Sequence, residues 1–273
     1  MKQFKISQSL IKDWQDFKDE QLCGSVFQAK YITNTWLRTW NDSPLKALGR
    51  YFEFILTGAM PTGYHDYPKP NYLKTALTKK AKNPDYKFTV NDMMSEYRLA
   101  HKNAERTIEL LEASGIKVQS AQVFREKGAL TGNIDIEAIF LESGKEINID
   151  IKYSGLIYDK WNKFGWSWRP EQMAYHGIQA KQYSILNGRP TYFLVVSNTN
   201  DKDIKFFHAH IDPFYLEQHE KMALSLIEKL NFVNDIGWQN YPELNKCESC
   251  PLKNSCSDRV TTLIAERIEI IDE

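Results

Sequence analysis

The sequence has no excess of charge of either sign. Lysine plus arginine and aspartate plus glutamate number 35 each in 273 residues, a formal net charge of +0. That excludes a bulk electrostatic pull on nucleic acid, so any basic groove must be local. Long apolar runs are missing too. The opening Met-Lys-Gln-Phe-Lys-Ile-Ser has no signal core and no stretch is apolar enough to span a bilayer, so the expected location is the cytoplasm, with no membrane partner. Cysteine is scarce, at four residues, and clustered cysteines in a reducing compartment suggest metal rather than disulfides. Internal repeats and low-complexity segments are also lacking, which excludes a repeat architecture. What is present is an ordinary balance of 42% hydrophobic, 13% aromatic and 26% charged residues, sufficient at this length to bury one large core or two small ones.

Residues 131–152 carry the strongest pattern. Asn133, Asp135 and Glu137 alternate with Ile134, Ile136 and Ala138. After Glu142-Ser-Gly-Lys the alternation resumes, with Glu146, Asn148, Asp150 and Lys152 against Ile147, Ile149 and Ile151. A period of two marks strands, because successive side chains point to opposite faces, and Ser143-Gly144 between the runs reads as a hairpin turn. The pairing predicts Asp135, Asp150 and Lys152 on polar faces of one sheet, close enough to converge. Such a face fits two descriptions. It is the solvated side of an antiparallel edge, or it is two carboxylates and a lysine set to hold a divalent cation and manage a nucleophilic water. Asp-x-Lys alone does not decide, since Asp16-Phe-Lys18, Asp85-Tyr-Lys87 and Asp203-Ile-Lys205 also occur. Only Asp150-Ile-Lys152 follows a Gly-x2-Asp strand across a hairpin.

Along the chain, Ser7 or Ser9 caps a first helix over 7–20 with Leu10, Ile11, Trp14 and Phe17 on its apolar face. Cys23 and Gly24 precede a second short amphipathic piece with Phe27 and Tyr31. Pro44 opens a helix ending near Gly58. Gly49 within it is costly and asks for a packing reason. Glu53 lies one turn further along the same face, among Tyr51, Phe52, Phe54 and Ile55, as a partly buried carboxylate or a surface glutamate. Residues 59–89, rich in Pro, Gly, Tyr and Lys, read as an inserted mobile loop with a basic patch at Lys79-Lys-Ala-Lys, either solvated or touching nucleic acid. A helix over about 91–114 follows, capped by Asn91, buried along Met94, Tyr97, Ala104, Ile108 and Leu111, and closed by Gly115.

Strands are expected near 117–125, 133–141 and 146–153. Residues 154–170 then interleave Tyr158, Trp161, Phe164, Trp166 and Trp168 with Lys160, Lys163 and Arg169, which suits stacking on unpaired bases or an ordinary hydrophobic plug. A helix over 171–187 holds Gln179 and Tyr183 as an i,i+4 pair. Strands at 191–197 and 204–211 and a helix from Pro213 to about Leu230 follow. This order predicts an α/β sandwich on a mixed sheet, in a single domain over 1–273.

Gly49-x3-Glu53, Gly132-x2-Asp135, Asp150-Ile-Lys152 and Gln179-x3-Tyr183, in that order, resemble the RecB-like branch of the PD-(D/E)XK nuclease superfamily. Cys23 together with Cys247-x2-Cys250-Pro-x4-Cys256 resembles the iron–sulfur staple of the CRISPR-associated RecB-like exonucleases and of the AddB-type helicase–nuclease subunits. The resemblance spans Cys23 to Cys256. It implies a restriction-endonuclease-like core, a mixed sheet flanked by helices, with N- and C-terminal segments joined at a metal cluster. It also implies a metal-dependent deoxyribonuclease, an exonuclease on single-stranded DNA or DNA ends, serving recombination, repair or CRISPR-type processing in a bacterial, archaeal or phage-infected cell. A DNA-binding subunit with little catalysis and a structure-specific endonuclease are the alternatives. A helicase, recombinase or integrase, and further copies of the chain, are the companions it suggests.

Residue by residue, the resemblance implies that Glu53, Asp135, Asp150 and the carbonyl of Ile151 hold Mg²⁺ or Mn²⁺. Lys152 would orient or deprotonate the attacking water and stabilise charge on the phosphate. Gln179 and Tyr183 would support the site and touch the strand. Where the family's first motif carries histidine, this chain has Glu53, an oxygen ligand suited to either metal. His65, His101 and His176 do not fit that spacing, although His176 lies one turn before Gln179. Glu137 shares the face of Asp135 as a structural neighbour. Four cysteines accept structural zinc or a [4Fe–4S] cluster. Their wide separation resembles the staple more than a zinc ribbon, whose knuckles are usually paired, and the implied role is to tie the first helix to the C-terminal tail.

Overall fold

The computed structural model describes residues 4–33, 35, 43–60, 66–155, 170–241, 247–248, 250, 252–254 and 256, with backbone alone at 170–176. Contacts divide the chain into two compact units, Asp42–Lys221 and the pair of terminal segments Met1–Asn41 and Met222–Glu273.

The terminal unit begins with α1 (Gln8–Lys18), capped by the Ser7 hydroxyl, which accepts the Leu10 amide at 3.2 Å. The expected Leu10, Ile11, Trp14 and Phe17 are its buried face. Cys23 is the N-cap of α2 (Gly24–Tyr31). The two chain ends meet here. Phe27 stacks on Trp238 with ring centroids 4.8 Å apart, Phe17 packs edge-on against the same indole, and the Gly24 amide donates to the Gln239 carbonyl at 3.0 Å. A Cβ at Gly24 would stand 2.2 Å from that carbonyl oxygen, so only glycine allows the approach. The Asn240 side-chain oxygen accepts from the Ser25 amide, the Ser25 hydroxyl and the Cys23 thiol at 2.7, 2.8 and 3.0 Å.

The central unit opens with α3 (Pro44–Thr57), started by Ser43 and Pro44 and closed by Gly58 at φ +67°, a left-handed cap that favours glycine. Residues 59–89 are not simply an inserted loop. They include α4 (Lys74–Lys82), and Ala76 is buried. A bridge between Tyr72 and Met93, with amide–carbonyl bonds of 2.8 Å on either side, pins the start of α4. Asn91 is not the cap of the next helix. The Asp92 carboxylate instead takes the Thr89 amide and hydroxyl at 2.8 and 2.9 Å across a 3-10 turn, Val90–Asp92. The helix α5 (Ser95–Ala113) therefore starts later, and Met94 lies exposed at its mouth instead of in the buried stripe.

A five-stranded sheet follows: β1 (Ile116–Lys127), β2 (Leu130–Phe140), β3 (Glu146–Ser154), β4 (Thr191–Ser197) and β5 (Ile204–His208), in that spatial order. All neighbours are antiparallel except β3 and β4, which are parallel because α6 (Pro170–Asn187) provides the crossover between them. The mixed sheet with flanking helices is the α/β arrangement expected. The strand β5 ends at His208, short of 211, and the last helix, α7 (Pro213–Ile236), runs past Leu230. One sheet face packs Ile136, Ala138, Ile147, Ile149, Leu194 and Val196 against Leu48, Phe52, Tyr97 and Ala104 of α3 and α5. The other packs Phe193 and Val195 against Ala180 of α6.

The alternating polar face of β2 and β3 is therefore not a solvated edge. Both strands are central, and Asn148 and Asp150 are fully buried. Hydrogen bonding serves Asn148 and Glu137 here. Asn148 and Asn187 exchange bonds of 2.9 and 2.7 Å, and Asn187 donates to Glu137 at 3.1 Å. Glu137 also receives a bidentate pair from Arg125 at 2.8 and 2.7 Å and faces Arg189 at 3.2 Å. Gly132 lets β2 approach α6, since a Cβ there would sit 3.0 Å from Leu186 and 3.3 Å from Tyr183.

Arg125, first among its partners, holds the Glu137 carboxyl down from 4.5 to about 2. A depressed acid contributes stability that is complete above its unfolded value and lost as pH falls through the folded one. Glu137→Gln should cost up to ~3 kcal/mol at neutral pH, because it removes the charge of the buried carboxylate that pairs with Arg125 and Arg189. Denaturant unfolding curves should show that difference shrinking between pH 4.5 and pH 2. An equal cost at both ends of that window would mean that lost packing, not charge, is responsible.

Candidate active site

The site begins where a ladder stops. Pairing of β2 with β3 ends at Ile136 and Ile149. The next inward amide, Ile151 N–H, donates to the Asp135 Oδ2 at 2.8 Å instead of to a backbone carbonyl. On the other side of β2, the register through Ala121–Ile136 and Val123–Ile134 leaves Gln122 across from Asp135. Gln122 has φ +52°, a left-handed conformation that is uncommon for any residue with a Cβ and is concentrated at functional sites. Its side-chain amide donates to Glu53 of α3. Three elements thus bring three carboxylates within electrostatic reach of one another: Glu53 from α3, Asp135 from β2 and Asp150 from β3.

Their fields overlap. Burial, then the charges of Asp150 and Glu53, push the Asp135 carboxyl well up, against Lys152 and the Ile151 amide. Burial also raises Asp150, opposed by its ion pair and hydrogen bond with Lys152. Glu53 is pushed up from 4.5 to about 7, by burial first and Asp150 second, while Lys152, Gln122 and Arg50 pull the other way. Lys152 Nζ stands 5.7 Å over the Phe193 ring while pairing with Asp150. Gln179 donates to Asp150 Oδ1, and its amide nitrogen lies 3.2 Å from the Tyr183 hydroxyl, so the i,i+4 pair on α6 reaches the site as a chain of contacts.

Among the described residues, no three His, Cys, Asp or Glu side chains stand round one point as a ready coordination sphere. The donor chemistry nevertheless suits a hard cation. Glu53, Asp135 and Asp150 offer only oxygen, and two of the three are raised by a neighbouring carboxylate's charge. A divalent cation is the species that would relieve that repulsion.

The other candidates fall elsewhere. Glu137, on the face of Asp135, is engaged by Arg125 and Arg189. The His101 ring meets the Tyr51 hydroxyl at 3.1 Å and Glu105 at 3.3 Å. His65, the side chain of His176 and the aromatic-cationic run over 156–169 lie outside the described residues. Cys23, Cys247, Cys250 and Cys256 are free, half-buried thiols, all in the terminal unit. Sequence reasoning missed Gln122 and Arg50, because a glutamine in a strand and an arginine on an amphipathic helix carry no spacing signal. Gly49 has no packing reason among the described residues: a Cβ there would meet none of their atoms within 4 Å.

No protein-family model matches the chain, and no curated protein is similar to it in sequence. Among solved structures, it is similar to a protein from Eubacterium rectale named "Putative exonuclease". The two share 16% identity over 98% of this chain and 94% of that one, with a TM-score of 0.53. That likeness shows a common fold. A second structure, SSO0001, is 12% identical over 93% of this chain and 97% of that one, but its TM-score of 0.26 is too low to bear on the fold.

A carboxyl raised by the fold favours the folded state most below its unfolded pKa and loses that contribution as pH rises. For Glu53 the loss runs from 4.5 to about 7. At 1.36 kcal/mol per pH unit it amounts to at most ~3 kcal/mol. Glu53→Gln should therefore raise the melting temperature of the metal-free protein by roughly 3–8 °C above neutral pH, with little change near pH 4.5. Thermal melts at the two pH values check this, and a lower melting point for the variant in alkaline buffer would contradict it.

Proposed function

We propose that this protein is a Mg²⁺- or Mn²⁺-dependent exonuclease of the RecB-like PD-(D/E)XK type, hydrolysing phosphodiester bonds in single-stranded DNA or at DNA ends. The observation that carries the reading is the gathering of Glu53, Asp135 and Asp150 with Lys152 where β2 and β3 stop pairing. The shared fold with a protein named as an exonuclease supports it. The setting proposed is recombination, repair or CRISPR-type processing, with DNA as the partner.

Glu53, Asp135, Asp150 and the Ile151 carbonyl are the groups that would hold the cation. When bound, it supplies polarisation of the phosphate and a lower pKa for water beside it. Lys152 would hold the attacking water or take its proton, and would offset charge on the phosphate. Gln179 fixes the Asp150 carboxylate and Tyr183 fixes Gln179. Gln122 does the same for Glu53. These neutral donors orient the acids without neutralising them.

The decisive experiment is cleavage of single-stranded DNA labelled at either end, with Mg²⁺ or Mn²⁺. Wild-type protein should degrade it only with metal, and Lys152→Ala should be slower by ~10²–10³-fold, the usual cost of removing one group that stabilises transition-state charge. The order in which labelled products appear identifies the end attacked. A folded protein that binds DNA yet cuts neither single- nor double-stranded linear substrates is instead a DNA-binding subunit.

The four cysteines are assigned to a [4Fe–4S] cluster that fastens the two chain ends. Supporting this, their thiols are half-buried and three fall within Cys247–Cys256, in the unit that both termini build. Four thiols match the cluster's ligand set. Protein purified without oxygen should be brown, and Cys250→Ala should lose both the visible absorption and several degrees of melting temperature. Colourless protein carrying one zinc per chain would replace the cluster with a structural zinc site.

A further inference from the structure

A cavity of about 400 Å³ opens beside Glu53, lined by Leu45, Lys46, Gly49, Arg50, Glu53, Ile151 and Tyr153. Ligand pockets for small organic groups are of this size. Its wall is one stripe of α3. Lys46 and Arg50 are one turn apart, and Gly49 and Glu53 are one turn apart. The stripe runs from a cation at the exposed first turn to a carboxylate at the deep end, about 10 Å away for seven residues of helix. Arg50 is close enough to Glu53 to lower its pKa. The other wall is Ile151 and Tyr153 of β3, on either side of Lys152 in sequence.

Gly49 is the unexplained member. It sits in the body of the helix, where glycine is less favourable than alanine. It has no positive φ, and an added Cβ would meet no atom of the described residues within 4 Å. Neither backbone strain nor close packing accounts for it. What lies at that position is the cavity.

We propose that this cavity is a subsite for the nucleotide adjoining the scissile bond, with Arg50 and Lys46 binding its phosphate and Gly49 keeping the space open. Guanidinium and ammonium groups are side chains that bind phosphate, and the cavity they line also reaches Glu53, one of the acids proposed to act on the next one. The assignment rests on the nuclease reading for what happens at its deep end, but its binding test does not.

Binding of a short single-stranded oligonucleotide to Lys152→Ala, followed by fluorescence anisotropy over a KCl series, tests it. Adding Arg50→Gln should weaken binding about tenfold, whatever the base sequence, and reduce the slope of log affinity against log salt by about 0.7, the release expected for one phosphate contact. Gly49→Leu in the same background should also weaken binding. Gly49→Ala should melt no lower than the parent, which separates a filled cavity from a damaged helix. Affinity and slope unchanged by both Arg50→Gln and Gly49→Leu would overturn the subsite, as would a parent that binds no oligonucleotide. If wild-type protein cuts DNA while those variants bind normally, the nuclease reading stands and the subsite falls. If the variants lose binding in a chain that cuts nothing, the subsite stands and the nuclease reading falls.

Discussion

Holding Glu53 and Asp135 beside the fully buried Asp150 is the constraint around which the central unit is arranged. A buried carboxylate without compensation gives up its charge by taking a proton, and here each acid worsens the position of its neighbours. Among the described residues the fold answers with Lys152, with Arg50 beside Glu53, and with neutral donors: the Ile151 amide on Asp135, Gln179 on Asp150 and Gln122 on Glu53. Negative charge is thus left in excess. Supplying those donors has structural consequences. The β2–β3 ladder ends early so that Ile151 N–H can reach Asp135, and Gln122 adopts a backbone conformation that residues with a Cβ rarely take.

Two residues along β2, on the same face, Glu137 shows the opposite outcome. Its pKa is depressed to about 2, with Arg125 the largest cause, whereas that of Asp135 is raised, with burial the largest cause. The supply of partners adds to the difference. Glu137 has two guanidinium groups and an asparagine amide, while Asp135 has other carboxylates. A carboxylate whose charge is balanced contributes to the fold, and one whose charge is under-balanced is a place for a cation to act. One strand therefore carries both a structural acid and a candidate catalytic acid, and only their surroundings tell them apart.

The terminal unit solves a different problem. Two segments from opposite ends of the sequence must find each other, and neither is long enough to bury a core alone. They do so with aromatic surface, Phe17 and Phe27 against Trp238, and with a glycine at residue 24 that permits backbone contact with Gln239. Asn240 then collects three donors around Cys23. Cys23 thus sits on a frame already held by packing, and the proposed cluster would fasten it without having to create it.

The sequence by itself determined the local elements, because they follow from periodicity and capping. Ser7, Pro44, Gly58 and Gly115 mark helix ends where the structure has them, and the alternation over 131–152 gave the paired strands β2 and β3. Alternation also put Asp135, Asp150 and Lys152 on polar faces of paired strands, whereas Glu53 and Gln179 were singled out only by the resemblance to a nuclease family. Tertiary structure decided whether the polar face was wet or buried, because burial depends on α6, which enters the sheet only through the parallel crossover from β3 to β4. It decided that part of 59–89 is a pinned helix, since the Tyr72–Met93 bridge joins residues whose pairing has no local signature. It alone revealed Gln122, Arg50 and the open space at Gly49. These residues matter through what stands opposite them in space, and no pattern along one chain records that.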